Sequence, residues 1–502
     1  MQLTSSCNQQ QVVPNLVGET ETIEAFYVPE SIKLEDFRQE TIQANGRNYI
    51  VKYPVLKEHQ IEEIGAVLHA NRNDYLAKLS TSEVVDKIDQ AIHLWLNPDY
   101  PLRRIAESLI PAITGYDQDM VRLELKRYMR TFRKKELLRF LDEEFDQPAV
   151  LDEFRPRKSG GMSRAYGPNT IFHIFSGNVP GVQLWSLIMG LLLKSAAIGK
   201  TSHAEPLLPA LFLQSLKQVD VKLAEAIAIL PWKGGTESLE NMAISWGEAV
   251  IVYGSSKTVE EIRKKTPIHK KLLSYGHKIS FAMIGNEALA ADHYKSTLHK
   301  LAEDISIYDQ QSCLSPQAVY VEKGGVVSPK VFAQGLAAEL ASYHKKRPRA
   351  KLTGEEAMSI QNFRNQYNLE SLQSQKTAVY SNNNDTAWTV IYHEEPAFSG
   401  TPLNRTVHVY AIDRLEKVPV YLKQWESYLQ SCGLAVEPAR LFSIANSIGA
   451  AGVNRFSPIG EMTRAKPGWH HDGGFNLVDL VRMVDMERDL ENGLEKYDSD
   501  VE

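Results

Sequence analysis

"TIFHIFSGNVPGVQLWSLIMGLLLKSAAIGK", residues 170–200, indicates the fold class of this chain. Two short runs of small or β-branched apolar residues, at 170–175 and 195–200, flank a longer apolar segment that predicts a helix at 180–194. Gln183 and Ser186 interrupt that segment, which is shorter than the ~20 apolar residues needed to span a bilayer. The stretch therefore predicts a strand, a buried helix and a parallel strand, and no membrane span.

The same alternation of strands and helices continues along the chain. Further strand-like runs, with helical patterns between them, stand at 226–230, 249–254 and 278–284. A second set of patterns follows: strands at 317–322 and 405–412, a helix at 328–346, and a hairpin-like pair around 382–385. We therefore expect an α/β protein with a parallel sheet and a second, smaller α/β unit.

The N-terminal part has a different sequence pattern. Residues 1–20 are polar and predict a disordered tail, and Asn45-Gly46 between alternating flanks predicts a hairpin. Helical patterns dominate 57–145. Within them, the basic run at 126–135 follows the outer face of an amphipathic helix, so we interpret it as a solvated surface, although an anionic ligand there stays open.

The composition of the chain excludes several classes of protein. The chain has 502 residues, a formal net charge of -6, 43% hydrophobic and 24% charged residues, typical of a multidomain globular protein and not of a general nucleic-acid binder. The start shows no basic and apolar signal-peptide pattern, so we expect a cytoplasmic protein. Cys7, Cys313 and Cys432 are too few and too scattered for a disulfide framework.

Four loops at predicted strand ends carry unusual polar residues. In an open α/β sheet, ligands bind at the carboxyl ends of the strands. The loops are "FSGNVPG" with Asn178, "IGKTSHAEP" with Lys200, Ser202 and His203, "VYGSS" with Gly254 and Ser255, and "DQQSCLSPQ" with Cys313. Each has an ordinary alternative taken alone, because Asn often caps a helix and a free Cys is most often buried in a core.

Together and in this order, these loops resemble the aldehyde dehydrogenase superfamily. Its members have an Asn at a strand end, then a Lys-Pro-Ser-Glu loop, a Gly-Ser turn, and a nucleophilic Cys two or three positions after a Gln. Here Lys200 follows Asn178 by 22 positions, and Gln311-Ser312-Cys313 supplies the last element. More closely, "GNVPG", "YGSS", "HKISFA", "SCLSPQ", "FSGTPLNRTV" and "GWHHDGG" resemble the long-chain fatty acyl-CoA (acyl-protein thioester) reductase family of bacterial luminescence systems.

The resemblance implies an aldehyde-dehydrogenase-like fold, with two Rossmann-like parallel-sheet domains and a helical N-terminal region. We expect residues 21–305 to form the helical region and the nicotinamide-binding domain, joined by 435–490. Residues 306–434 would then form the catalytic domain that carries the cysteine.

The resemblance also implies catalytic roles. Cys313 resembles the nucleophile that takes the acyl group as a thioester, and Asn178, with the Cys313 backbone N–H, resembles the oxyanion hole. These roles agree with the chemistry, since a thiolate attacks a thioester readily and the tetrahedral oxyanion needs preorganised donors. The adjacent His470, His471 and Asp472 cannot easily converge on one ion, so we expect a structural turn and no metal.

Cofactor contacts follow from the same resemblance. Lys200 and Ser202 would contact the adenosine ribose, Gly254 and Ser255 the pyrophosphate, and Glu395 the nicotinamide ribose. His203 stands where relatives that use NAD carry a glutamate, which would repel a 2′-phosphate. We therefore expect NADPH as the cofactor.

The expected function is reduction of a long-chain acyl thioester, from acyl-CoA or an acyl-protein, to the fatty aldehyde. Ser274 stands about where hydrolytic relatives have a glutamate base, so the thioester should survive in water unless His277 acts as a base. Family resemblance suggests a homo-oligomer and an acyl-protein synthetase as partner. Two alternatives stay open: an aldehyde-oxidising dehydrogenase and a non-catalytic scaffold for a synthetase.

Overall fold

The computed structural model describes residues 20–291, 293–382 and 385–492. Cys7 and all but the last residue of the tail predicted at 1–20 lie outside the described residues. The strands, in chain order, are β1 Thr20–Glu24, β2 Phe37–Ala44, β3 Arg47–Pro54, β4 Arg155–Pro156, β5 Met162–Tyr166, β6 Thr170–Ile174, β7 Ala196–Thr201, β8 Ile227–Pro231, β9 Ala249–Tyr253, β10 Lys271–Tyr275, β11 Ile279–Ile284, β12 Pro316–Glu322, β13 Thr377–Ser381, β14 Thr389–His393, β15 Thr406–Ile412, β16 Leu429–Ala435, β17 Arg455–Pro458 and β18 Arg482–Met486.

The helices, in chain order, are α1 Glu58–Asp74, α2 Thr81–Leu96, α3 Pro101–Thr114, α4 Gln118–Arg130, α5 Lys134–Glu144, α6 Val182–Leu192, α7 Leu207–Val219, α8 Val221–Ala224, α9 Glu237–Trp246, α10 Ser256–Lys265, α11 Tyr294–Ser306, α12 Pro329–Lys346, α13 Gly354–Gln373, α14 Pro419–Leu422, α15 Pro438–Gly449 and α16 Arg488–Asn492. Among the described residues, no helix has the length and apolar character required to cross a membrane.

The N-terminal region begins with a small sheet. Asn45 and Gly46 both have positive φ, 51° and 75°, and connect β2 and β3 as an antiparallel hairpin, which confirms that prediction. Helices α1–α5 follow. The predicted apolar face of α4 is buried, and Phe132 just after it contacts Trp185 of α6, with ring centroids 5.4 Å apart. The helical region therefore packs directly on α6.

The first main sheet has the strand order β10-β9-β6-β7-β8, and all its pairs are parallel. Its central strands β6, β7 and β9 are buried at every position, because helices cover both faces. This is the strand–helix–strand series predicted from 170 onward. Its carboxyl edge carries the loops after β6, β7 and β9.

The second main sheet has the order β13-β14-β15-β12-β11-β16-β17, parallel except for the antiparallel pair β13–β14. The expectation of a smaller second unit is wrong in the number of strands, since this sheet has seven and the first has five. The expected second unit had four strands. Strands β16 and β17, and the run at 278–284 that forms β11, bring the sheet to seven.

The boundary expected at 305/306 also differs from the sheets. Strand β11 pairs with β12 and β16, so it belongs to the second sheet although the prediction included it in the first unit. Strand β17 likewise lies in the second sheet, whereas β18 returns to pair with β5 in a small sheet of order β18-β5-β4. A strand that is apolar on both faces could lie in either sheet, so its local sequence pattern cannot identify the strand that pairs with it.

Candidate functional site

A cavity of about 1250 Å³ lies between the carboxyl edge of the first sheet and the loop that precedes β12. Five of the eight predicted catalytic and cofactor-contacting residues line it: Asn178, Ser202, Gly254, Ser255 and Cys313. Three different strand ends and a fourth loop therefore converge on one space. The helical region closes another side, where Arg127, Tyr128 and Arg130 of α4 also line the cavity.

Cys313 is the partly buried thiol in this cavity. Its backbone carbonyl accepts a 2.6 Å hydrogen bond from Ser280 Oγ of β11. Burial, with a smaller contribution from the negative charge of Asp472, raises the pKa of the thiol to about 12, although Arg455 and Lys278 oppose the shift. The resting thiol is therefore protonated near neutral pH, and attack on a substrate requires loss of that proton.

The segment before Cys313 has an unusual backbone. Tyr308, Asp309 and Gln310 have φ of 48°, 51° and 68°, a left-handed conformation that costs about 1–2 kcal/mol per non-glycine residue. The Gln310 side chain compensates by accepting from Thr406 N at 2.9 Å and donating to Thr406 O at 2.9 Å and to Pro316 O at 2.7 Å. The nucleophile loop is thus held in a strained conformation by the start of β15.

A second left-handed segment faces the first one. Leu403, Asn404 and Arg405 have φ of 57°, 56° and 63°, and Leu403 lines the cavity. The Arg405 guanidinium is fully buried and places Nε 2.9 Å and Nη2 2.7 Å from Asp309 Oδ1. This ion pair joins the two strained segments. The "TPLNR" sequence within the resemblance motif therefore supports the cysteine loop.

Asn178 lies opposite the cysteine loop. Its Nδ2 donates a 2.6 Å hydrogen bond to Gln311 O, two residues before Cys313, and its Oδ1 accepts from Ser176 Oγ. An amide nitrogen carries two hydrogens, so the second one is free of that bond. Tyr116 Oη donates to the Asn178 carbonyl at 2.7 Å. The amide therefore lies beside the loop that carries Cys313 and is not merely a helix cap.

The proposed cofactor residues lie at the ends of β7 and β9. Lys200 is buried, and burial lowers its pKa, partly offset by the Glu240 carboxylate. Ser202 lines the cavity, whereas His203 is exposed beside it in sequence and does not line it. The structure thus brings one of these three side chains to the cavity wall directly.

The turn after β9 fits a phosphate group. Ser255 caps α10 by accepting from Thr258 N at 3.2 Å, and a Cβ on Gly254 would lie only 3.1 Å from the Thr258 side chain. The backbone N–H groups of Ser256 and Lys257, both in the cavity wall, have no acceptor within the helix. A helix N-terminus with free N–H groups favours an anion, so this turn and Ser202 can hold a dinucleotide.

Glu395 is not brought to the site. It follows β14, whose register places Ile391 beside His408 and thus level with Ala318 of β12. Cys313 precedes β12, so Glu395 lies beyond the opposite edge of this parallel sheet, where it is exposed and paired with Lys376. The prediction that Glu395 contacts the nicotinamide ribose is therefore wrong, because strand direction carries it away from Cys313.

Other predicted side chains have different surroundings from those expected. Ser274 lies in β10, where its hydroxyl accepts from Arg263 Nη2 at 3.2 Å, and it lines a separate cleft of about 390 Å³. His277 is exposed at the wall of the main cavity. Cys432 is buried in β16.

Several cavity residues were not identified from sequence. Tyr128 of α4, to which the sequence analysis gave no role, lines the cavity. His471 lines it too, stacked on Tyr275 with ring centroids 4.2 Å apart. Within residues 20–291, 293–382 and 385–492, no group of three or more His, Cys, Asp or Glu side chains could hold a metal ion.

Comparison with known proteins agrees with this architecture. Aldehyde dehydrogenases of known structure share the fold, which confirms that prediction. One is the NADP-dependent glyceraldehyde-3-phosphate dehydrogenase of Bacillus halodurans, with a TM-score of 0.67 and 14% identity over 90% of this chain and 95% of that one.

Sequence relatives are more specific. The long-chain acyl-protein thioester reductase of Vibrio harveyi is 24% identical over 420 residues, 83% of this chain and 84% of that protein. The long-chain acyl-protein thioester reductase 2 of Photobacterium leiognathi is 22% identical over 445 residues, 88% of each. A profile of the family described as Acyl-CoA reductase (LuxC) matches residues 76–483. The chain therefore belongs to the acyl-CoA reductase (LuxC) family, as its motifs predicted.

Proposed function

We propose that this protein reduces a long-chain acyl thioester to the free fatty aldehyde with NADPH, through an acyl group held on Cys313. The observation that carries the proposal is that Cys313 and Asn178 line one large cavity, with the Asn178 amide bonded to Gln311 O two residues before Cys313, in a chain of this reductase family. The acyl donor is acyl-CoA or an acyl-protein, the substrate class in the relatives' names.

The chain's own residues account for acyl transfer. Cys313 Sγ attacks the thioester carbonyl, and the oxyanion is held by Asn178 Nδ2 and the Cys313 backbone N–H. Loss of the donor thiol leaves the acyl group on Cys313. When bound, the reduced nicotinamide supplies the hydride that converts this thioester into aldehyde. Ser202 and the Gly254-Ser255 turn hold that cofactor beside the nucleophile.

The cavity also favours a long-lived acyl-enzyme. Three carboxylates line it, Glu124, Glu136 and Glu461, and each lies within 4 Å of an arginine nitrogen, at 2.6, 2.6 and 3.7 Å. An arginine beside a carboxylate competes with water for its oxygens. Ser274 cannot serve as the base for water either, since a serine hydroxyl takes no proton from water near neutral pH. The acyl group therefore waits for hydride unless His277, exposed at the cavity wall, acts as the base.

NADPH is the proposed cofactor because no carboxylate stands at position 203. Lys200 and His203 flank Ser202 at the end of β7, and a cation or imidazole accepts a 2′-phosphate that a glutamate would repel. We further propose that the protein acts in the cytoplasm as a homo-oligomer, with an acyl-protein synthetase as the acyl donor's source.

The experiment is acylation with radiolabelled tetradecanoyl-CoA followed by addition of NADPH. Wild-type protein should retain label for many minutes and release it as tetradecanal on addition of NADPH. The Cys313→Ser variant should take no label, whereas Cys432→Ser, the matched control, should behave as wild type because Cys432 is buried in β16. Release of free tetradecanoic acid without cofactor, or label mapped to Cys432, would refute the proposal.

A further inference from the structure

Glu205 is a buried carboxylate that directly follows Ala204 of the cavity wall, in the "IGKTSHAEP" loop but outside the predicted site. It is fully buried, and its Oε1 accepts hydrogen bonds from Leu207 N and Leu208 N, both at 2.9 Å. It thereby satisfies the first turn of α7, a helix with no side-chain N-cap at Pro206. Its Oε2 accepts a 3.1 Å hydrogen bond from Gln183 Nε2 of α6.

Gln183 closes a hydrogen-bonded clamp on the loop that carries Asn178. It is 1% exposed, and its Nε2 also donates to Ser176 O at 2.9 Å. Its Oε1 accepts from Gly181 N at 3.0 Å. One side chain thus binds both ends of loop 176–181, and Glu205 fixes the orientation of that side chain.

The loop has little freedom on its other side. A Cβ on Gly177 would lie 2.7 Å from Ser202 Oγ and 2.8 Å from Glu205 N, so loops 176–178 and 202–205 are in direct backbone contact. Asn178 sits one residue further. Any displacement of Gln183 or Glu205 is therefore passed to the Asn178 amide, since close-packed groups transmit small shifts.

We propose that Glu205 and Gln183 are positioning residues that hold Asn178 in place as the oxyanion donor. The inference rests on the proposed function, because it assigns these residues to the acylation of Cys313. An oxyanion donor acts over a narrow range of distance, so a displaced amide loses transition-state stabilisation without loss of substrate binding.

The test compares two reactions of the same thiol. Acylation by tetradecanoyl-CoA forms a tetrahedral oxyanion, whereas alkylation by iodoacetamide displaces iodide and forms none. In Gln183→Met, which keeps the side-chain volume without the hydrogen bonds, acylation should slow by about 10- to 100-fold. Alkylation of Cys313, followed by mass spectrometry, should stay within about twofold, and the acyl-CoA concentration for half-maximal rate should be unchanged.

A second variant and a control complete the design. Glu205→Gln keeps an acceptor for the α7 N–H groups but turns an amide toward Gln183, so it should slow acylation in the same selective way. Gln218→Met, in α7, removes the glutamine oxygen that accepts a 3.0 Å hydrogen bond from Tyr100 Oη, and it should change neither reaction. In an Asn178→Ala background, Gln183→Met should cause no further loss, because the donor it positions is gone.

The inference is refuted if acylation and alkylation fall together, since that indicates general disorder of the site. It is also refuted if Gln183→Met has the same effect with and without Asn178. Failure of the wild-type protein to accept label would instead refute the proposed function. The two failures are therefore distinguishable.

Discussion

The buried ion pair between Asp309 and Arg405 should be essential to the stability of the nucleophile loop. Arg405 is 0% and Asp309 2% exposed, and Asp309 Oδ2 also accepts from Ala350 N at 2.9 Å. In Arg405→Met, the carboxylate stays buried without its partner. Removal of one member of a buried pair costs about 3–5 kcal/mol, so the free energy of unfolding should fall by about that amount.

The double variant Asp309→Asn/Arg405→Met should recover much of the loss. The substituted amide keeps an acceptor for Ala350 N and carries no charge, so the largest cost of the single variant disappears. We expect the double variant to be about 2–3 kcal/mol more stable than Arg405→Met. The exposed pair of Arg122 and Asp119, 3.0 Å apart, is the control, and Arg122→Met should lose little stability.

Urea unfolding followed by tryptophan fluorescence measures these differences, and iodoacetamide alkylation of Cys313 reports on the loop itself. The reasoning is refuted if Arg405→Met loses less than about 1 kcal/mol. A double variant no more stable than the single one would also refute it, because the cost could not then arise from the unpaired charge.

Four more measurements test individual groups of the site and its surroundings. Asn178→Ala should slow acylation of Cys313 by about 100- to 1000-fold with little change in acyl-CoA affinity, measured by rapid-quench labelling; an unchanged rate would remove Asn178 from the oxyanion hole. His203→Glu should shift the kcat/KM ratio toward NADH, and equal use of both cofactors by the wild type would contradict the assignment. Because the pKa of Cys313 is raised to about 12, its alkylation rate should rise about tenfold per pH unit from pH 7 to 9, and a plateau below pH 8 would show a lower pKa. Burial raises the pKa of Asp304 from 3.8 to about 7, so stability is lost as the pH rises through this interval. Compared with Asp304→Asn, the wild type should lose up to about 4 kcal/mol of unfolding free energy between pH 4 and 7. Parallel curves of stability against pH for the two proteins would contradict this.

The sequence alone predicted many of the elements and singled out the loop that carries Cys313. Alternation of apolar runs with helical periodicity predicted β6, α6 and β7, and Asn45-Gly46 predicted the hairpin, because both signals are local. The order of the Asn178, Lys200, Gly254 and Cys313 loops predicted the family and the fold. Short stretches that carry a backbone requirement or a reactive side chain can be recognised without distant contacts.

Tertiary structure alone decided how these elements pair and what supports the site. Strand β11 is buried on both faces, so its pattern fits either sheet, and only its contacts with β12 and β16 assign it to the second. Glu395 was misplaced because strand direction sends it to the opposite edge from Cys313. The Asp309–Arg405 pair joins residues 96 positions apart. Gln183 of α6 likewise bonds to Glu205 in the loop before α7. Such partners are selected by desolvation and geometry in the folded state, where each buried polar group must find the other.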